Sequence, residues 1–130
     1  MTDQKVQIQL RVRPNDLDSL GHVNNAVVLE YLEAARWAWQ EAQRLARGGP
    51  VTPVVARIEV DYRREIRAED LMIFAEIAEM GFYSVVFRQW IEVQRDGRPS
   101  VAVEARVQVA LIDKEGRPQP VEDYLESARQ

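Results

Sequence analysis

Residues that can do chemistry cluster between positions 15 and 25, just before an apolar segment. The cluster holds two carboxylates, the only histidine of the chain and two asparagines: Asp16, Asp18, His22, Asn24 and Asn25. Four apolar residues, 26 to 29, follow at once. A carboxylate can act as a base or a nucleophile. The first N–H groups of a helix are unpaired and can bind a developing negative charge. The cluster is therefore a candidate catalytic site at the start of a helix.

The same residues also have purely structural interpretations. Asn24 or Asn25 can cap the helix, and Asp16 can form a turn within the loop. His22 can orient the loop without acting on a substrate. Asp18 lies seven residues before Asn25, which is close enough for the loop to fold its carboxylate beside the helix start. The residues alone leave these alternatives open.

The composition excludes several kinds of site. The chain has 130 residues, no cysteine and a formal net charge of −4. Disulfides, zinc–thiolate sites and thiol nucleophiles are therefore excluded, and no basic run predicts a nucleic-acid surface. No window approaches the roughly 20 apolar residues of a membrane span. No phosphate-binding glycine loop or metal-ligand spacing occurs. We expect one domain over residues 1–130, in the cytoplasm, with no cofactor, metal or nucleic-acid partner.

One long helix and five strands must position the cluster. Residues 26 to about 46 carry apolar side chains at helical spacing, and Gly48-Gly49-Pro50 follows as a stop signal. The predicted buried stripe is Val28, Leu32, Ala35, Trp39, Ala42 and Ala46. Residues 4–12 alternate between apolar and polar, which is typical of a half-buried strand. Four longer alternating runs, 54–62, 71–79, 83–93 and 101–111, follow the helix.

Short turns, including Asp96-Gly97, join the last strands and make that part antiparallel. In the first long run, Val54, Ala56, Ile58, Val60 and Tyr62 are predicted to share a face. A short helix is expected near 121–129. The expected fold is α+β, with a long central helix wrapped by an antiparallel five-stranded sheet. Such a sheet keeps exposed edges and an apolar outer face, so a dimer that joins sheets edge to edge is expected.

This layout, together with DLDSLGHVNNAVVLEYLEAAR at residues 16–36, resembles the hotdog-fold acyl-CoA thioesterases. The likeness is greatest to the branch typified by 4-hydroxybenzoyl-CoA thioesterase. Weaker matches are DYRREIRAEDLMI, GFYS and PVEDYLE. Plant acyl-ACP thioesterases carry a similar stretch, so the resemblance leaves the carrier open between coenzyme A and acyl carrier protein. It implies a thioesterase that converts an acyl thioester and water into a carboxylic acid and a free thiol.

The resemblance also implies roles for residues. Asp18 corresponds to the catalytic carboxylate, as base or nucleophile, and the backbone N–H of Asn25 to the oxyanion donor. His22 and Asn24 would support the loop beside the substrate. Ser84, with Tyr83, would complete the pocket from the partner subunit of a homodimer or homotetramer.

The phosphates of coenzyme A still need cationic partners. The basic residues that the hydroxybenzoyl branch uses are replaced here by Gly81, Phe82 and Tyr83. Arginines of the turn after Tyr62, namely Arg63, Arg64 or Arg67, are therefore expected to take their place.

Two other functions fit the same fold. A hydratase or dehydratase could use Asp18 and His22 as an acid–base pair, although hydratases space these residues differently. A non-catalytic acyl-binding module is the third possibility, because fold alone does not decide activity.

Overall fold

A computed structural model describes residues 5–45 and 48–126 of the chain. The elements in chain order are β1 (Val6–Arg11), a 3₁₀ turn (Pro14–Asp16), α1 (Asn25–Ala42), β2 (Thr52–Tyr62), β3 (Asp70–Met80), β4 (Ser84–Arg95), β5 (Arg98–Ile112) and α2 (Val121–Glu126). Among these residues, no helix is long and apolar enough to cross a membrane.

The strands form one antiparallel sheet in the order β1-β3-β4-β5-β2. Asp96 and Gly97, with φ of 55° and 76°, form the two-residue hairpin turn between β4 and β5. Helix α1 buries Val28, Leu32 and Ala35 as its apolar spacing predicts. The long helix on an antiparallel five-stranded sheet confirms the expected fold class.

Helix α1 ends at Ala42, four residues before the predicted end. Arg44 adopts a left-handed φ of 63°. Its N–H donates to the carbonyl of Glu41 at 2.9 Å, and the N–H of Leu45 donates to the carbonyl of Gln40 at 3.0 Å. This is the Schellman arrangement, usually built on glycine. Ala42 is exposed, so its predicted burial is wrong, and Ala46 lies outside the described residues.

A bulge at Ala56 changes which residues of β2 face the helix. Val55 pairs with Val109 but Arg57 pairs with Gln108, so one residue of β2 has no partner. Residues on either side of a bulge change faces. Val55 therefore lies on the same face as Ile58, and the prediction that Val54 does so is wrong.

Candidate active site

The loop before α1 folds around the side chain of Asp18. Its Oδ1 atom accepts hydrogen bonds from the N–H groups of Leu20 at 2.8 Å and His22 at 3.1 Å. The backbone N–H of Asp18 donates to the carbonyl of His22 at 2.7 Å. Gly21 has a φ of 78°, which favours glycine at this tight point. The loop thus fixes one carboxylate oxygen and leaves Oδ2 without a hydrogen bond in the described part of the chain.

The Asp18 carboxylate is held in its ionised form. Hydrogen bonds from the His22 and Leu20 amides lower the pKa of Asp18 below its ordinary value. The side chain is exposed. A charged oxygen that is not used by the loop is therefore available to a substrate or a water molecule.

The first turn of α1 leaves one N–H group available. Asn24 is the N-cap, and its Oδ1 accepts from the N–H of Ala26 at 2.8 Å. The N–H groups of Val27 and Val28 donate to the carbonyl of Asn24 at 2.9 and 3.3 Å. The N–H of Asn25 makes no hydrogen bond within the described ranges. It is the free donor at the positive end of the helix dipole.

Asp16 has a structural role. It is 3% exposed and accepts from the hydroxyl of Tyr31 at 2.7 Å and from Nη2 of Arg13 at 3.0 Å. Burial raises the pKa of Asp16, but the hydrogen bonds from Tyr31 and Arg13 outweigh burial and leave the pKa lowered. The backbone carbonyl of Asp16 accepts a hydrogen bond from the backbone N–H of Asn24 at 2.9 Å. Asp16 therefore ties the loop to the helix.

Five of the residues singled out from the sequence line one open cleft: Asp18, His22, Asn25, Arg63 and Arg64. The backbone N–H groups of the two arginines donate to the carbonyl of Ala102 at 2.8 and 3.1 Å. The hydroxyl of Tyr62 donates to the carbonyl of Asn25 at 2.9 Å. Tyr62 was not expected at the site, because nothing local in the sequence indicates that the end of β2 meets the start of α1.

The three arginines differ in how free their charges are. Arg63 forms an ion pair with Glu104 at 2.6 Å, and Arg67 forms one with Glu65 at 2.6 Å. Arg67 does not line the cleft. Arg64 lines the cleft and forms no ion pair with any described residue. Arg64 is therefore the best placed of the three to meet an anionic ligand.

Ser84 and Tyr83 lie far from this cleft in the same chain. Ser84 pairs with Ala110 of β5, whereas Tyr62 pairs with Val103. The difference, 110 − 103, is seven residues of β5, or roughly 23 Å along the strand. One chain does not bring Ser84 to Asp18.

The sequence model of the thioesterase-like superfamily matches residues 12–128. The chain belongs to this superfamily. It is 32% identical over 118 residues to the long-chain acyl-CoA thioesterase FadM of Escherichia coli (strain K12), and the match covers 83% of each chain. The family and the thioester-hydrolase class expected from the opening motif are thus confirmed.

Two solved structures agree with this assignment. A thioesterase from Thermus thermophilus, complexed with coenzyme A and Zn, superposes with a TM-score of 0.77 at 31% identity, over 94% of this chain and 89% of that chain. A 4-hydroxybenzoyl-CoA thioesterase variant complexed with 4-hydroxybenzoyl-CoA superposes with a TM-score of 0.86 at 18% identity, over 94% and 96% of the two chains. At that identity the second likeness shows the hotdog fold alone.

Proposed function

We propose that this hotdog thioesterase hydrolyses acyl-CoA to a carboxylic acid and free coenzyme A, with Asp18 as the catalytic carboxylate. The observation that carries the proposal is the pairing of two unused groups in one cleft. One is the Oδ2 atom of ionised Asp18, and the other is the N–H of Asn25. The E. coli relative is named an acyl-CoA thioesterase, which supports coenzyme A as the carrier.

In the proposed reaction the thioester carbonyl oxygen accepts a hydrogen bond from the backbone N–H of Asn25. Negative charge then develops on that oxygen at the positive end of α1, and such donors are typically worth about 3–4 kcal/mol of barrier. Asp18 takes a proton from water while the water oxygen bonds to the carbonyl carbon. The C–S bond breaks, and the departing thiolate takes the proton from Asp18. In the alternative route Asp18 attacks the carbonyl carbon itself, and the C–S bond breaks with release of the thiolate. Water then cleaves the resulting anhydride, which frees the carboxylic acid and regenerates the Asp18 carboxylate, and the thiolate takes the remaining proton of the water.

The working unit is proposed to be a homodimer. Strand β2 forms one edge of the sheet, and no described residue pairs with its outer side. Val55, Ile58 and Tyr62 on this edge are 45%, 38% and 45% exposed. An exposed edge of this length is a template for pairing with a second strand. Two copies of β2 could pair antiparallel with Arg57 of one copy opposite the partner's Arg57. The two sheets would then form one continuous sheet.

That dimer would bring Ser84 close to the partner's cleft. Ser84 pairs with Ala110, and Ala110 pairs with Val54, so the three form one row across the sheet. Pairing about Arg57 places Val54 opposite the partner's Val60, near its cleft. Three strand spacings of about 4.8 Å then separate Ser84 from the partner's Val60, roughly 14 Å, and the partner's Tyr62 lies two residues, or roughly 7 Å, farther along that strand. The register supports the expectation that the partner supplies Ser84 and Tyr83. Further pairing through the outer face, to a tetramer, stays a prediction.

The nucleotide end of coenzyme A is proposed to meet Arg64. A phosphate can form charge-assisted hydrogen bonds with a guanidinium. The Arg64 guanidinium forms no ion pair with a described carboxylate, whereas Arg63 is already paired with Glu104. Arg63 would contribute once its pair rearranges.

Thiol release from a panel of acyl-CoA esters tests the proposal. We expect turnover that produces one thiol per thioester, and slower release from the same acyl group on acyl carrier protein. Crotonyl-CoA should lose its thioester without hydration of its double bond, which separates hydrolysis from hydratase chemistry. Tight acyl-CoA binding without thiol release would contradict the proposal and favour an acyl-binding module. The cytoplasmic location and the single domain over 1–130 stay predictions.

A further inference from the structure

A second cavity lies between the C-terminal half of α1, the inner face of β4 and β5, and α2. We call it the Arg36 cavity, and it has about 640 Å³ of space including its open mouth. Its walls are largely apolar and include Val85, Phe87, Val109, Leu111, Val121 and Leu125. It shares no lining residue with the Asp18 cleft. Arg36 follows Asn25 by 36 − 25 = 11 residues, or roughly 16 Å along the helix.

Arg36 lines this largely apolar cavity and forms no ion pair with a described residue, although the exposed side chain of Glu33 also lines the cavity. Nη1 of Arg36 donates to Oε1 of Gln89 at 2.9 Å, and its other donors make no hydrogen bond with described residues. No described carboxylate lies within ion-pair distance of Arg36. Burial lowers the pKa of Arg36, and the more distant charge of Glu33 does not offset the burial. The guanidinium is thus partly desolvated and retains unused donors.

Trp39 also lines the cavity, and its indole N–H is buried beside it. Trp39 is 4% exposed, and its Nε1–H is buried without a hydrogen-bond acceptor in the part of the chain that is described. Its ring packs edge-on against Phe87 at 5.1 Å. Buried donors are normally satisfied, so an isolated one needs an explanation. Positions 36 and 39 are three residues apart and therefore lie on one face of the helix.

We propose that the Arg36 cavity binds a carboxylate carried on a hydrocarbon chain. The Arg36 guanidinium donates to the carboxylate, and the buried Trp39 N–H does so once the ligand displaces the side chains that cover it. The apolar walls cover the hydrocarbon chain. Gln40 and Tyr124 also line the cavity, and Nε2 of Gln40 donates to the hydroxyl of Tyr124 at 2.6 Å. The apolar walls favour such an amphipathic anion over a free inorganic anion.

Two sources can supply this ligand. One is a free fatty acid, which is the class of product that thioester hydrolysis releases. The other is the distal carboxylate of a dicarboxylic acyl thioester, and this source rests on the proposed function. The direct binding test below does not depend on hydrolysis.

The first experiment compares octanoate with octan-1-ol by isothermal titration calorimetry. The wild-type protein should bind octanoate at least about tenfold more tightly, because charge-assisted hydrogen bonds are the stronger kind. Arg36→Met keeps the side-chain length and should abolish the preference. Arg44→Met, an exposed arginine just beyond the same helix, is the matched control and should retain it. Equal affinities for the two ligands, no binding of octanoate, or an unchanged preference in Arg36→Met would overturn the proposal.

Trp39→Phe provides a second variant if Arg36→Met fails to fold, as judged by circular dichroism. It keeps an aromatic ring and removes only the N–H donor and part of the ring system. We expect octanoate affinity to fall severalfold while octan-1-ol affinity changes little. Equal losses for the two ligands would mean that the N–H does not meet the carboxylate, and would overturn the proposal.

The second experiment identifies the source by measuring kcat/KM for octanoyl-CoA and 7-carboxyheptanoyl-CoA. A preference of about tenfold for the carboxylated substrate, lost in Arg36→Met, assigns the ligand to the distal end of the acyl group. Equal values together with octanoate binding assign it to the free acid. Absence of thiol release from both substrates contradicts the proposed function, and calorimetry with octanoate still decides whether the cavity binds carboxylates.

Discussion

Replacing Asp16 with asparagine should destabilise the fold, although Asp16 lies two residues from the proposed catalytic carboxylate. The Asp16 side chain is buried and accepts hydrogen bonds from Tyr31 at 2.7 Å and from Arg13 at 3.0 Å. Asparagine keeps one acceptor but points an NH₂ group at one of these donors. A hydrogen bond to a charged group is worth about 1.5–3 kcal/mol, and leaving a buried donor unsatisfied costs about 1–3 kcal/mol. Because Arg13 is exposed, its ion pair adds little. We expect a loss of about 2–4 kcal/mol.

Urea unfolding followed by circular dichroism measures this loss. All variants should be compared at one protein concentration, because association contributes to apparent stability. Asp18→Asn is the control: its side chain is exposed and keeps Oδ1, the atom that the Leu20 and His22 amides contact. It should cost less than about 1 kcal/mol. Equal losses in the two variants would refute the assignment of Asp16 to structure.

Three further predictions follow from the same contacts. Because the pKa of Asp16 is lowered in the folded state, its contribution to stability is present above its unfolded pKa and is lost as pH falls through the lower folded value. The difference in unfolding free energy between the wild type and Asp16→Asn should therefore shrink at acid pH. A difference that stays the same at all pH values would contradict this prediction. Arg64→Ala should raise KM for acyl-CoA severalfold and spare a short N-acetylcysteamine thioester, whereas Arg67→Ala should leave both unchanged; equal effects would remove Arg64 from the phosphate site. Ile58→Lys should convert the proposed dimer to a monomer in sedimentation at micromolar concentration, because it places a charge on the exposed edge of β2. A fully active monomer would contradict the proposed shared site.

Local patterns in the sequence were enough to predict the order of the elements and the family. Alternating residues identify the strands, and the opening motif places Asp18, His22 and Asn25 at the start of a helix. These signals are local because each depends on side chains a few positions apart. The helix cap at Asn24 is also a local effect, in which a side chain bonds an amide two residues later.

Features that depend on pairing or long-range contact were not predictable in this way. The bulge at Ala56 depends on the register between β2 and β5, and periodicity within one strand does not contain that information. The early end of α1 depends on Arg44 adopting a conformation that glycine usually takes. The burial of Asp16 depends on Tyr31, fifteen residues later. The contact of Tyr62 with Asn25 spans thirty-seven residues.

The turnover number of Asp18→Asn on one good acyl-CoA substrate tests the central claim most directly. Asparagine retains Oδ1 for the loop and replaces only the free oxygen with an NH₂ group, so the loop geometry should persist. General-base catalysis is typically worth about 10²–10⁴-fold, and we predict a fall of that size in kcat with KM nearly unchanged. A kcat within about tenfold of the wild-type value, in a variant with the wild-type fold and sedimentation behaviour, would show that Asp18 is not the catalytic carboxylate.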